Sequence, residues 1–339
     1  MPPPIGSAPL KPIVVPKPVT SLPPVATARP VVVPPLDKFE AKPLTPAQKL
    51  EQVEKDLTPT FTVKVDGKDV TTSVPAPFRM NGGNGQPTPE KAQTLMTTAI
   101  QKGKAWPKSK ADQAALSTAI NRNAYGRATP AQLKLVTQKL IEAGALKPYL
   151  DDVKTGKGGA ALGPDDLKVA IRRMQWDHGV GVDCNGVCQI GANAVNGKPP
   201  TEKWGDALIP TGKNGASLNP KFKKIDVQEA KPGDIVVLDD VTGDVGHNVI
   251  ITDAKTVLAD DAKKLNGAPR PTGPLKQMTV LSSWGADGNK DDTSGGLNKQ
   301  TWVYDQGSKK WGTLNGNKVE WSKQDGPYEH KFVGVYRAK

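Results

Sequence analysis

The sequence predicts an α+β protein with three parts: a Pro-rich arm, a small mainly helical domain, and a larger domain in which a helix packs on an antiparallel sheet. Three observations support this prediction. Fourteen of the 32 prolines lie between residues 2 and 46. Helix-start signals recur from residue 45 to residue 164, and short β-like runs follow from residue 234 onward. Helical and β regions that are segregated along a chain are typical of α+β folds.

The composition narrows the classes of function. The 339 residues include 46 Lys+Arg and 34 Asp+Glu, which gives a net charge of +12 and favours anionic partners. Basic and aromatic residues are not interleaved, so nucleic acid is not an expected partner. No stretch approaches the ~20 apolar residues of a membrane-spanning helix. Two cysteines are too few for a disulfide scaffold or a zinc ribbon.

Residues 1–44 form the predicted arm. Its prolines and valines favour polyproline II and extended backbone, because proline removes amide donors and excludes helix interiors. We expect a flexible, disordered tether. The alternative is a docking or delivery segment that another protein holds in extended form. The first residues lack the charged and apolar regions of a signal peptide.

Residues 45–158 form the predicted small domain. Thr-Pro pairs at residues 45–46, 88–89 and 129–130 are helix starts, with threonine as the cap and proline at the first helical position. Gln48 completes a capping box with Thr45. Alternating residues at 61–65 and 70–74 flank Asp66-Gly67 and predict a hairpin. We expect a packing module without chemistry of its own.

Residues 159–339 form the predicted larger domain. A helix starts at Pro164 and presents an apolar side. Five β-like runs follow at residues 234–238, 248–251, 278–281, 301–304 and 332–336, separated by Gly, Asp and Asn turns. We expect Trp302, Trp311 and Trp321 to be core residues rather than a sugar-stacking surface. Residues 287–292 resemble the start of a calcium loop but lack its glycine, so a solvated loop is expected.

Cys184 is the candidate nucleophile. It follows Asp183 and precedes a stretch that can be helical, so it would stand at a helix N-terminus. Free backbone amides and the helix dipole stabilise a thiolate there, and the same amides can face an oxyanion. Cys188 lies one turn further along and is expected in the core. The base for such a thiol could come from His178, His247 or His330.

Three short motifs accompany these residues. They are Asp-Cys-Asn-Gly at 183–186, Pro-Gly-Asp at 232–234 and Gly-His-Asn-Val at 246–249. In this order the chain resembles the NlpC/P60 superfamily of papain-like cysteine hydrolases, in which the corresponding motifs are Asp-Cys-Ser-Gly, Pro-Gly-Asp and His-Val-Gly. The resemblance covers residues 164 to 339 and implies a papain-like α+β domain there.

The resemblance also implies roles for individual residues. Cys184 would be the nucleophile and His247 its general base. The family orients the histidine with a polar residue on the next strand, where this chain has Ser282, with Ser283 and Asn289 as substitutes. Residues 253–277 would be an insertion before that strand. Asp183, Trp176 and Ser283 are expected in substrate binding, and no metal or cofactor is implied.

The resulting functional hypothesis is a cysteine peptidase or amidase that hydrolyses amide bonds of peptidoglycan stem peptides, with an endopeptidase favoured. Without a signal peptide, the protein would be an effector delivered from the cytoplasm to the cell envelope or outside, with an immunity protein or the secretion machinery as a further partner. One alternative is a thiol-dependent deamidase or acyltransferase toxin acting on a host protein or lipid. Another is a non-catalytic wall-binding module in which Cys184 is inert.

Overall fold

The computed structural model describes residues 43–79, 85–201, 221–240, 246–262, 264–266, 270–284, 295–323, 326–327 and 330–339. Almost all of the predicted arm, residues 1–44, lies outside these ranges. Residues 287–292, which include the candidate Asn289, also lie outside them.

The helices begin where the sequence predicts capping residues. Thr45 and Thr129 each accept a backbone N–H three positions on, and Gln48 and Gln132 complete two capping boxes. Thr88 caps its helix through Lys91. Among the described residues, each helix is too short or too polar to cross a lipid bilayer. The helices are α1 (Pro46–Asp56), α2 (Pro89–Lys102), α3 (Lys110–Ala124), α4 (Pro130–Glu142), α5 (Lys147–Gly156), α6 (Pro164–His178), α7 (Cys184–Val195) and the short α8 (Ala259–Ala262).

Two antiparallel sheets accompany these helices. Strands β1 (Thr60–Val65) and β2 (Lys68–Ser73) form the predicted hairpin, and Asp66 and Gly67 turn with positive φ. The other sheet has eight strands in the order β3-β10-β4-β5-β6-β7-β8-β9. Its strands are β3 (Phe222–Ile225), β4 (Ile235–Asp240), β5 (His247–Val257), β6 (Leu275–Trp284), β7 (Gly296–Asp305), β8 (Trp311–Asn315), β9 (Lys318–Trp321) and β10 (His330–Ala338).

The predicted strands differ from the observed ones mainly in length and number. The five predicted runs fall in β4, β5, β6, β7 and β10, whereas β3, β8 and β9 were not predicted. Part of the predicted insertion at 253–277 continues two strands, because residues 253–257 of β5 pair with residues 275–279 of β6. Antiparallel pairing therefore extends into both ends of the predicted insertion.

The central strands of the eight-stranded sheet are buried on both faces. One face, here called the helix face, carries Ile235, Val237, Ile250 and Leu281 and belongs to the main core with the helices. The other, here called the aromatic face, packs Val236, Leu238, Val249, Ile251 and Val280 with Trp302 and Trp311. The residues of β4 and β5 alternate strictly between these two cores, as the period of a strand requires.

Residues 44 to 339 form one compact unit. Leu50 and Val53 of α1 share the main core with Val187 of α7 and Ile250 of β5. The sequence predicted a domain boundary between residues 158 and 159, yet this core continues across that position. The reason is that the apolar stripe of α1 packs against α7 and β5 instead of being buried only among the helices before residue 158.

Candidate active site

Cys184 is the first residue of α7, as the sequence predicts. Asp183 is the N-cap, with extended φ and ψ of −93° and 176°. Its Oδ1 accepts the backbone N–H of Gly186 at 2.6 Å. Aspartate is a favoured N-cap because its carboxylate binds otherwise unpaired amides of the first turn. Asp183, which was predicted to bind substrate, therefore uses its carboxylate to cap α7.

The thiol of Cys184 is buried and protonated. The residue is 9% exposed, and Cys188 one turn on is 0% exposed in the main core, as expected for it. Burial, and to a smaller extent the charge of Asp183, raises the pKa of the Cys184 thiol to about 12. A hydrogen bond from the backbone amide of Asn248 acts in the opposite direction and lowers this pKa. The sulfur thus lies beside the peptide that joins His247 to Asn248.

Strand alternation sends the side chains of His247 and Asn248 to opposite faces of the sheet. Asn248 shares the helix face with Ile250, whose side chain lies against Gly191 of α7. The Asn248 side-chain amide donates to Asn185 Oδ1 at 2.6 Å, which links β5 to the first turn of α7. His247 shares the aromatic face with Val249. The predicted nucleophile and base are therefore close along the backbone, but their side chains lie on different faces.

The imidazole of His247 is part of an aromatic stack. Its ring centroid lies 3.9 Å from that of Trp284 and 6.1 Å from that of His330, with the two imidazoles nearly parallel at 19°. His247 is 9% exposed, and its Nε2 has no hydrogen-bond partner among the described residues. Burial and the neighbouring charge of His330 lower the pKa of His247 to about 3. The imidazole is therefore neutral.

The hydroxyl of Ser282, which was predicted to orient the histidine ring, bonds to the backbone of β5. Its Oγ donates to the backbone carbonyl of Asn248 at 2.7 Å. Ser283 pairs with Leu297, which packs against the main core, so Ser283 lies on the helix face. Its Oγ is buried without a hydrogen-bond partner in the described part of the chain. Because side chains alternate along a strand, Ser282 lies on the opposite face, which is the face that carries His247.

The other predicted site residues are further along α6. Trp176 is 7% exposed and lies in the last turn of that helix. His178 ends the helix instead of lying in the loop that follows it, and its Nδ1 pairs with the Met174 carbonyl at 2.9 Å. Trp176 and His178 thus belong to the end of α6, whereas Cys184 begins α7.

The Pro-Gly-Asp motif has a structural role. Asp234 is 1% exposed and accepts two hydrogen bonds from Arg337, each at 2.8 Å. Gly233 has a φ of +96°, and a Cβ there would meet Val195 Cγ1 at 2.9 Å. The motif therefore joins the start of β4 to β10 and to the end of α7.

Sequence reasoning missed Asn248 and Asn185, which lie on the Cys184 side of the sheet. The signal was present in the motif itself, since the residue after His247 must lie on the opposite face. Among the described residues, no cluster of three or more His, Cys, Asp or Glu side chains could hold a metal ion. Comparison with known proteins gives no match to a family model, a curated protein or a solved structure.

Proposed function

We propose that the chain is a papain-like cysteine hydrolase that cleaves amide bonds in peptidoglycan stem peptides. The observation that carries this proposal is the position of Cys184, at the N-terminus of α7 and against the peptide that follows His247. A nucleophilic cysteine at a helix N-terminus beside a strand that begins with histidine is the arrangement such chemistry needs. The resemblance to NlpC/P60 proteins supplies the substrate class.

In the proposed reaction His247 takes the proton of the Cys184 thiol, and the sulfur attacks the carbonyl carbon of the substrate amide. In this proposal the backbone amide of Cys184, at the N-terminus of α7, faces the oxyanion that forms. The imidazolium then protonates the leaving amine, which breaks the C–N bond and leaves a thioester. Water, deprotonated by the same imidazole, hydrolyses the thioester and restores the thiol.

The described conformation holds both groups in their neutral forms. A thiol with a pKa of about 12 keeps its proton in the presence of an imidazole with a pKa of about 3. The hydrolase proposal therefore requires the start of β5 to rearrange on substrate binding, so that the His247 side chain leaves Trp284 and reaches the α7 side of the sheet. Water or substrate at the same place would also stabilise the charged forms by reversing part of the burial.

The net charge of +12 suits the anionic cell wall as a partner. We propose an endopeptidase over an amidase that frees the peptide from the glycan. We also propose that the protein is delivered as an effector, with an immunity protein or a component of the secretion machinery as its partner.

A second candidate is a non-catalytic module that binds the wall. The opposite faces of the Cys184 and His247 side chains favour it, because a nucleophile and its base must come within hydrogen-bond reach. A buried thiol with a raised pKa is also the state expected of an inert cysteine.

Mass spectrometry of muropeptides after incubation with purified cell walls tests both candidates. The hydrolase predicts new peptide fragments with the wild type and their loss in Cys184→Ala and His247→Ala. Cys188→Ala and His178→Ala are the matched controls and should retain product formation. Equal release by Cys184→Ala contradicts the proposed mechanism. Co-sedimentation with intact walls, but no new fragment from any variant or the wild type, supports the binding module.

A further inference from the structure

The residues before position 158 reach the N-terminus of α7 through the turn between α3 and α4. The Gly126 carbonyl accepts the backbone N–H of Asp183 at 3.0 Å. The next residue, Arg127, forms an isolated antiparallel bridge with Val182. This turn therefore runs directly alongside the two residues that precede Cys184.

Two glycines allow this close approach. Gly126 has a φ of +68°, and a Cβ there would lie 3.0 Å from Asp183 Cβ and from its backbone nitrogen. A Cβ at Gly186, in the first turn of α7, would lie 2.3 Å from the Gly126 carbonyl oxygen. The turn and the first turn of α7 thus touch backbone to backbone, where side chains would separate them.

Arg127 adds a charge contact to this backbone contact. Its Nη1 lies 3.2 Å from Asp183 Oδ1, the same oxygen that accepts the Gly186 N–H. The two side chains are 29% and 14% exposed, so water only partly screens the pair. The guanidinium of Arg79 also acts on Asp183 at longer range. Arg79 donates instead to the Ala124 carbonyl, Gln86 Oε1 and the Pro87 carbonyl.

The two charges beside the Cys184 sulfur act in opposite directions on its ionisation. The carboxylate of Asp183 raises the pKa of the thiol, and the guanidinium of Arg127 lowers it. Burial has the larger effect and also raises the pKa, whereas backbone N–H groups of Asn248 and Asn185 lower it. Arg127 is thus the side-chain charge that favours the thiolate.

We infer that Arg127 is a positioning residue for Cys184: it holds the Asp183 carboxylate that caps α7 and offsets the negative charge beside the thiol. The inference rests on the proposed function only for its consequence in catalysis. The effect on the thiol itself is a property of the folded chain, whether or not the protein is a hydrolase. It also gives the helical region before residue 158 a role at the candidate site.

The test is the rate of Cys184 alkylation by iodoacetamide in the native full-length chain, measured from pH 7 to pH 10. Peptide mapping by mass spectrometry separates Cys184 from Cys188. In Arg127→Met the rate at pH 9 should fall about threefold to tenfold, because the thiolate population falls as the pKa of the thiol rises. Arg127→Lys keeps the charge and should restore the rate to within about twofold of wild type.

Arg173→Met is the matched control, because it removes another arginine–carboxylate pair, to Asp152, away from α7. Its pH profile should follow the wild type. An unchanged profile in Arg127→Met overturns the inference, as does faster alkylation at every pH, which would mean a loosened helix end. Equal slowing in Arg173→Met overturns it as well.

Asp183→Asn provides the reciprocal test if Arg127→Met does not fold. It keeps a capping oxygen and removes the charge that raises the pKa of the thiol, so alkylation at pH 9 should become faster. No increase overturns the inference. Because alkylation needs no substrate, these results are separate from the muropeptide result. A protein without hydrolase activity but with the expected alkylation profiles leaves the positioning role intact.

Discussion

The two faces of the eight-stranded sheet bury different chemistry. The helix face carries the side chains of Asn248 and Ser283, and the Cys184 thiol lies against the backbone amide of Asn248. The aromatic face holds His247 between Trp284 and His330. Adjacent residues of one strand thus belong to two environments. A cysteine and a histidine in the sequence order of a catalytic pair can therefore still lie on different faces, because side chains alternate along a strand.

Acid also has opposite effects on folding stability at two buried groups, His247 on the aromatic face and Asp183 at the cap of α7. On the aromatic face, burial depresses the pKa of an imidazole, so acid destabilises that face. At the cap of α7, burial raises the pKa of the Asp183 carboxyl to about 6 although Arg127 opposes it. Lowering the pH therefore protonates this buried carboxylate and stabilises the folded chain. Stability measured against pH can separate the two contributions.

The largest expected effect concerns His247→Phe, which keeps a ring against Trp284 but removes the titration. With a folded pKa of about 3, the stability that neutral His247 contributes is present above pH 6.5 and is lost as pH falls toward 3. Relative to wild type, the variant should gain about 3 kcal/mol in unfolding free energy between pH 7 and pH 4. Urea unfolding at pH 7, 6, 5 and 4 measures it. Parallel curves would mean that His247 is solvated.

Asp183→Asn should show a smaller effect of opposite sign. A folded pKa of about 6 means that Asp183 contributes stability below its unfolded pKa and loses it as pH rises through 6. From pH 7 to pH 4 the wild type should therefore gain about 2 kcal/mol relative to the variant. The same urea series measures it.

The control for that variant is Asp166→Asn at the start of α6. The Gly163 amide and Lys157 lower the pKa of Asp166, so its contribution should be lost in acid. If both asparagine variants respond to pH in the same direction, the assignment of Asp183 as a buried, raised carboxyl is wrong.

The smallest effect separates the two adjacent serines. Ser282→Ala removes a hydrogen bond to the Asn248 carbonyl and should cost about 1 kcal/mol. Ser283→Ala removes a buried hydroxyl without a described partner and should cost nothing or stabilise slightly. Urea midpoints compare them. A larger cost for Ser283→Ala would contradict the assignment of the hydrogen bond to Ser282.

The helix starts could be predicted because capping signals are local. Thr45, Thr129 and Pro164 mark the starts of helices through signals that span only a few residues, and the structure confirms these starts. The position of Cys184 at the start of α7 is confirmed for the same reason, since Asp183 is a local capping signal.

The face of His247 could not be predicted in this way. Residues 249–251 are Val-Ile-Ile, and both faces of the sheet are buried, so no alternation between apolar and polar residues marks the side that carries α7. Ser282 and Ser283 pose the same problem, because two adjacent serines give no parity signal. The core that α1 shares with α7 and β5 could not be predicted either, since an amphipathic helix does not reveal which element covers its apolar stripe.

The position of β10 has a consequence for how the chain folds. β10 lies between β3 and β4, and His330 at its start stacks on the imidazole of His247. Pairing β3 with β10 closes a loop of about a hundred residues, and such non-local contacts slow folding. The sheet stays incomplete until residues 330–338 pair between β3 and β4, so the aromatic stack around His247 cannot form before these residues have been synthesised.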